Sequence, residues 1–216
     1  MELIDGSNLS ERIKREQEKG IQFQEKELWK ILINMCSVLQ YLHYERSIIH
    51  RDINPTNILV DNNFNIKLAD FGLAKTFQRG IKVNQSFVGT PAYSCPEILQ
   101  NKPYTEKADI WALGCIMYEL IMLKPAFSGS NALQMAKKIV TMEYEHIPQG
   151  RASRKMIELV ELCMEKDCEK RLNIIQLIKF ISKEVMRYLD HLKFTEIALN
   201  SHIKTMTRKV NNLMGS

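Results

Sequence analysis

No apolar run in this chain approaches the roughly 20 residues that a membrane-crossing helix needs. The longest candidate, WALGCIMYELIML at 111–123, carries Glu119 and reads as a buried helix of a globular core. No Cys-x-x-Cys pair occurs. The five cysteines (Cys36, Cys95, Cys115, Cys163 and Cys168) are odd in number and irregular in spacing, which argues against a disulfide framework and a zinc site. Buried thiols in a reducing compartment fit instead, so the chain reads as intracellular, in the cytoplasm or the nucleus. Blocks of like charge are absent too: 30 Lys and Arg against 25 Asp and Glu leave a net +5. That balance describes a mixed solvated surface, with no nucleic-acid arm and no membrane partner. Met1 is followed by Glu2 and Asp5, so no secretory signal is expected. The nine glycines include no pair spaced Gly-x-Gly, so no phosphate-covering glycine loop is present in the sequence.

What is present suits one sizeable core and a tail: 216 residues, 45% hydrophobic and 25% charged. Residues 25–44 place Leu28, Ile31, Leu32, Met35, Val38, Leu39 and Leu42 at helical spacing. Short β-like runs follow at 47–49, 57–60 and 65–69, and Asp61-Asn62-Asn63 predicts a turn joining the last two into a hairpin. Residues 70–97 show no sustained period and read as a long functional loop. From 105 onward the pattern is helical, over 105–123, 130–142, 153–164 and 173–186, with Thr105, Ser130, Ser153 and Asn173 as cap candidates. The tail carries a seam of period 3.5 through Leu189, Leu192, Glu196, Leu199, Ile203, Met206, Val210 and Leu213, broken only by Glu196. Two readings fit it: a coiled coil that makes a homodimer through 189–213, or a helix packed on its own domain.

The stretch HRDINPTNILV at 50–60 carries the chemistry. Phosphoryl transfer needs a carboxylate to orient and deprotonate the attacking hydroxyl, oxygen ligands for a metal that holds the phosphates, and positioned cations. Asp52 is the candidate base. Asn57, five residues on, can ligate Mg²⁺ through its amide oxygen. Asp70 in DFG lies 18 residues after Asp52, across the expected hairpin, which returns the chain to Asn57 so that the two can share the metal. Glu97 in CPE follows 27 residues later.

These four elements at these spacings are the protein-kinase signature set, and residues 1–187 resemble the C-terminal lobe of a eukaryotic protein kinase. The resemblance implies a fold that is mainly α with a short β-hairpin, without the N-terminal β-lobe and with an added C-terminal helix. It implies a hinge segment at 1–8, a lobe at 9–187 with the catalytic loop at 50–57 and the activation segment at 70–97, and a helical tail at 188–216. The activity implied is that of a non-specific serine/threonine protein kinase, which moves the γ-phosphate of ATP to Ser or Thr hydroxyls of a protein substrate with Mg²⁺. Thr90 in GTPAYSCPE would dock the substrate near Asp52. Asp109 in DIWALG would brace the backbone at His50, and Arg171 would pair with Glu97. Backbone groups of Glu2 and Ile4 would meet the adenine edge, with Met1 at the gatekeeper position, Asn8 near the ribose, Leu59 as the adenine floor and Asp70 at the phosphates. QSFVGT at 85–90, MELIDG, YLHYERSIIHRD and the residue at 54 further resemble the NIMA-related kinases, and among them a divergent armadillo-repeat branch. That resemblance implies phosphorylation of Ser86 on activation, for which Arg51 offers a guanidinium partner.

Two departures from the family pattern stand out. Asn54 occupies the place of a lysine that faces the transferred phosphate, keeping a donor but losing the charge. The strand lysine and its helix glutamate are not found before the hinge, and Lys14 and Lys19 follow it. The sequence therefore reads as half of an ATP cleft, with Phe71 and Leu59 left without packing partners. A non-catalytic docking or dimerisation module is the alternative, and the substrate-docking segment argues against a small-molecule phosphotransferase.

Overall fold

The computed structural model describes residues 6–77, 91–183, 186–187 and 190. It opens on a short strand, β1 (Gly6–Asn8), that runs into helix α1 (Leu9–Lys19). Asn8 makes that change of structure. Its backbone is extended, its Oδ1 accepts from Glu11 N at 2.8 Å, and its Nδ2 donates to Glu11 Oε1 at 3.0 Å. This satisfies N–H groups that a first turn leaves open. Gly20 ends the helix at φ 65°, a left-handed conformation that suits glycine. Helix α1 has no counterpart among the helices expected from periodicity, because its buried face is only Leu9, Ile13 and Glu16.

Helix α2 (Glu25–Gln40) buries Leu28, Ile31, Leu32, Met35 and Leu39 along one stripe, as expected, and continues in a π-helical turn, Tyr41–Glu45. Strand β2 (Ile48–Ile49) follows. After the catalytic-loop sequence and a 3-10 turn, Pro55–Asn57, come β3 (Ile58–Asp61) and β4 (Ile66–Leu68). These two strands pair antiparallel with Ile58 opposite Leu68, so the expected hairpin forms. Its turn is held by Asp61, whose Oδ1 accepts from Asn63 N and Asn65 N, both at 2.8 Å. Strand β1 adds to the other side of β3, which sets Asn8 opposite Leu59. A second small sheet pairs β2 with β5 (Lys75–Thr76), inside the stretch expected to be loop.

The helical body consists of α3 (Pro96–Leu99), α4 (Lys107–Met122), α5 (Ala132–Thr141), α6 (Arg154–Cys163) and helical residues 174–177. Helix α4 is buried all round, from Ala108 to Met122. Gly114 marks its contact with α6: a Cβ there would lie 2.7 Å from Cys163 Cβ, so only glycine lets the two helices approach this closely. Ser153 and Asn173 act as caps as expected, accepting from Met156 N and Gln176 N. At the other two starts the cap shifts by one residue. Asn131, not Ser130, accepts from Gln134 N at 2.8 Å, while Ser130 Oγ donates to the Gln134 side chain. Thr105 Oγ1 accepts from Lys107 N at 3.3 Å, with Glu106 in the cap position.

By compactness the chain divides into two units, Met1–Leu177 and Ile178–Ser216. Of the second, residues 178–183, 186–187 and 190 are described, and all are helical. The seam positions from Leu189 to Leu213 lie outside the described residues. No helix among the described residues is long and apolar enough to cross a membrane.

Candidate active site

Residues 50–57 connect β2 to β3, and they hang from one side chain of the buried helix α4. Asp109 Oδ2 accepts from His50 N at 2.9 Å and from His43 Nε2 at 2.8 Å, and its Oδ1 accepts from Arg51 N at 3.0 Å. Burial alone would raise this carboxyl, but the hydrogen bonds from His43 and the two backbone N–H groups outweigh burial and hold it below its ordinary value. Arg51 sits at φ 68°, a left-handed conformation that costs a non-glycine residue about 1–3 kcal/mol. Its N–H is held by Asp109, which is how the loop keeps that conformation. The expectation that Asp109 braces this backbone matches the geometry. His43 was not anticipated, since its partner lies 66 positions away and no local pattern marks it.

The carboxylate of Asp52 is gripped from two sides. Asn57 Nδ2 donates to Asp52 Oδ2 and to Asp52 O, both at 2.9 Å. Asn54 Nδ2 donates to Asp52 Oδ1 at 3.0 Å and to Asp52 O at 3.1 Å. Asn54 is buried, 4% exposed, and its Oδ1 accepts from Thr56 N and Asn57 N at 3.0 and 3.2 Å. Its amide thus faces the loop interior, whereas the family pattern suggests a group facing a phosphate. The physical reason is reach: a short amide finds its own loop's backbone, as in Asx turns.

The β3–β4 hairpin carries Asp70 back to Asn57. Ala69 N donates to Asn57 O at 2.8 Å, one residue before Asp70. Asp70 is exposed, at φ 58°, and its Oδ1 accepts from Gly72 N at 3.0 Å. A Cβ on Gly72 would approach that oxygen to 3.0 Å. Asn57 Oδ1 and Asp70 Oδ2 are the oxygens these residues leave for a cation. Two such ligands fit Mg²⁺, which completes its octahedron with water and phosphate oxygens. Among the described residues no group of three or more His, Cys, Asp or Glu could cage a metal unaided. His50 joins the two halves: its Nε2 bonds Ala69 O at 3.2 Å, and its ring meets Phe71 at 4.8 Å between centroids. Phe71 is 47% exposed and Leu59 is half-buried.

The guanidinium of Arg51 donates to Leu73 O and, at 3.3 Å, to Tyr104 Oη. Tyr104 had no signal in the sequence. Glu97 and Arg171 form a buried bidentate pair, Nη1 to Oε1 at 2.7 Å and Nη2 to Oε2 at 3.0 Å. Tyr93 Oη donates to Glu119 Oε2 at 2.6 Å beneath the segment that follows Thr90. Met1, Glu2, Ile4, Ser86 and Thr90 lie outside the described residues.

A family model described as a protein kinase domain matches residues 1–181. Serine/threonine-protein kinase Nek10 of Mus musculus is 43% identical over 209 residues, which are 97% of this chain and 19% of that protein. The Homo sapiens Nek10 is 42% identical over the same length, 97% of this chain and 18% of its own. Serine/threonine-protein kinase Nek5 of Homo sapiens is 36% identical over 192 residues, covering 88% of this chain and 27% of that protein. The chain thus spans about a fifth of the length of the Nek10 relatives it matches.

Proposed function

Since this chain belongs to the protein kinase family, with NIMA-related serine/threonine kinases as its relatives, we propose that it transfers the γ-phosphate of ATP to Ser and Thr hydroxyls of proteins. The observation that carries this reading is the Asp52 carboxylate, held by Asn57 Nδ2 at 2.9 Å beside the strand ends that present Asn57 and Asp70. Asp52 orients the substrate hydroxyl and takes its proton as the new O–P bond forms. The bond from the γ-phosphorus to the bridging oxygen breaks, and ADP leaves. Asn57 Oδ1 and Asp70 would hold Mg²⁺, which would neutralise phosphate charge. Glu2, Ile4, Asn8 and Leu59 cradle the adenosine, and Thr90 docks the acceptor. The relatives are serine/threonine-protein kinases, which favours catalysis over a non-catalytic docking module.

In this reading residues 1–8 are the hinge, 9–187 the lower lobe and 188–216 a helical tail that pairs two chains through 189–213. The chain works inside the cell on protein substrates. Incubation with radiolabelled ATP, Mg²⁺ and a Ser/Thr peptide pool tests the activity. We expect slow transfer that needs Mg²⁺ and falls at least about 100-fold in Asp52→Asn. Wild-type transfer no greater than that of Asp52→Asn overturns the reading.

A further inference from the structure

We propose that Asn54 is a positioning residue for Asp52, an inference that rests on the kinase reading above. An asparagine amide has two donor hydrogens and an oxygen with two lone pairs. Here both ends of the amide engage the loop. The donors reach Asp52 O and Oδ1 at 3.1 and 3.0 Å, and the acceptor takes Thr56 N and Asn57 N at 3.0 and 3.2 Å.

Asn57 mirrors this arrangement, with its Nδ2 on Asp52 O and Oδ2. The two amides therefore straddle the catalytic residue. Each takes the shared backbone oxygen and one carboxylate oxygen, which fixes both torsions of the Asp52 side chain. A lysine in place of Asn54 could not accept from Thr56 or Asn57, and its flexible stem would not hold this pose. The chain exchanges a phosphate-facing cation for a second clamp on the base. Rate here is governed by the aim of Asp52.

A bland alternative assigns Asn54 only a capping role for the 3-10 turn Pro55–Asn57, where its Oδ1 accepts the first N–H groups. Asp caps about as well as Asn but cannot donate. Asn54→Asp therefore keeps the cap, removes the clamp and sets a like charge beside Asp52. We expect its kcat to fall about 100-fold, the scale of an approximately 1 Å misplacement. KM for ATP should stay at its wild-type value. Asn54→Ser, whose hydroxyl both accepts and donates, should recover part of the loss, and Asn54→Lys should not exceed wild type. An Asn54→Asp chain with kcat within about twofold of wild type overturns the proposal.

A second readout needs no activity. In a ¹⁵N-labelled chain the Asn54 side-chain amide signal, identified by its loss in Asn54→Asp, should move when Asp52 is changed to Ala, and also in Asp52→Asn if the alanine variant unfolds. A signal unmoved in the folded variant refutes the clamp. A chain that transfers no phosphate but shows the shift keeps the clamp and removes the kinase reading, so the two failures are distinct.

Discussion

Replacing Glu97 with alanine tests how this lobe is held together, because the partner left behind cannot leave the interior. Arg171 is fully buried and Glu97 is 6% exposed. The guanidinium also donates to Glu165 O at 2.8 Å and Lys107 O at 3.1 Å, and it lies 4.9 Å from the centroid of the Trp111 ring. Breaking one side of a buried ion pair costs about 3–5 kcal/mol, because the stranded charge loses its counter-ion without regaining water. Two features place Glu97→Ala at the lower end, about 3 kcal/mol. The carbonyl acceptors stay in place, and a surface cavity of about 350 Å³ lined by Glu97, Lys102 and Glu165 admits water nearby. For a domain of this size the melting temperature should fall by about 6–12 °C. Differential scanning calorimetry and urea unfolding measure it. The double variant Glu97→Leu/Arg171→Met should recover at least half of the loss, since neither charge is then buried. A single variant that costs under about 1 kcal/mol, or a double variant worse than the single, refutes the reasoning.

Other consequences follow from the same structure. Burial pushes the thiols of Cys36, Cys95 and Cys115 far up and that of Cys163 up to about 12, so all four stay protonated at pH 8. Iodoacetamide should then label the native chain at half-exposed Cys168 alone and all five cysteines after denaturation, as counted by intact mass; rapid native labelling at Cys163 contradicts this. Burial raises the Glu119 carboxyl above its ordinary 4.5, although the Tyr93 hydroxyl bond lowers it. A raised folded value means that the group's contribution is present below 4.5 and is lost as pH rises through the folded value. Glu119→Gln should therefore gain stability relative to wild type on going from pH 4.5 to neutral, and a pH-independent gap in urea unfolding disproves it. Phosphate on Ser86 would carry about −1.5 to −2 charges and draw Arg51 from Leu73 O and Tyr104. Mass spectrometry of active protein made with Mg-ATP should find it, and an activation loop phosphorylated elsewhere but bare at Ser86 sinks the idea.

Sequence by itself determined what short-range rules control. The stripe of α2, the Asp61 turn, and the Ser153 and Asn173 caps each depend on residues a few positions apart, where backbone geometry leaves few choices. The hairpin made the meeting of Asn57 and Asp70 legible, because a tight turn returns a strand to its origin. Helix α1 was not legible because its buried stripe is only three residues. The kinase signature placed Asp109 and the Glu97–Arg171 pair by resemblance, but two other side-chain partners across the fold were another matter. His43 lies 66 positions from Asp109, and Tyr104 lies 53 from Arg51. Burial selected those pairs, since a polar group removed from water needs a partner wherever the packing supplies one. Asn54 shows the division within a single residue. Sequence identified the missing charge, and only the folded loop, closing its own short amide onto Asp52, decided what the asparagine does instead.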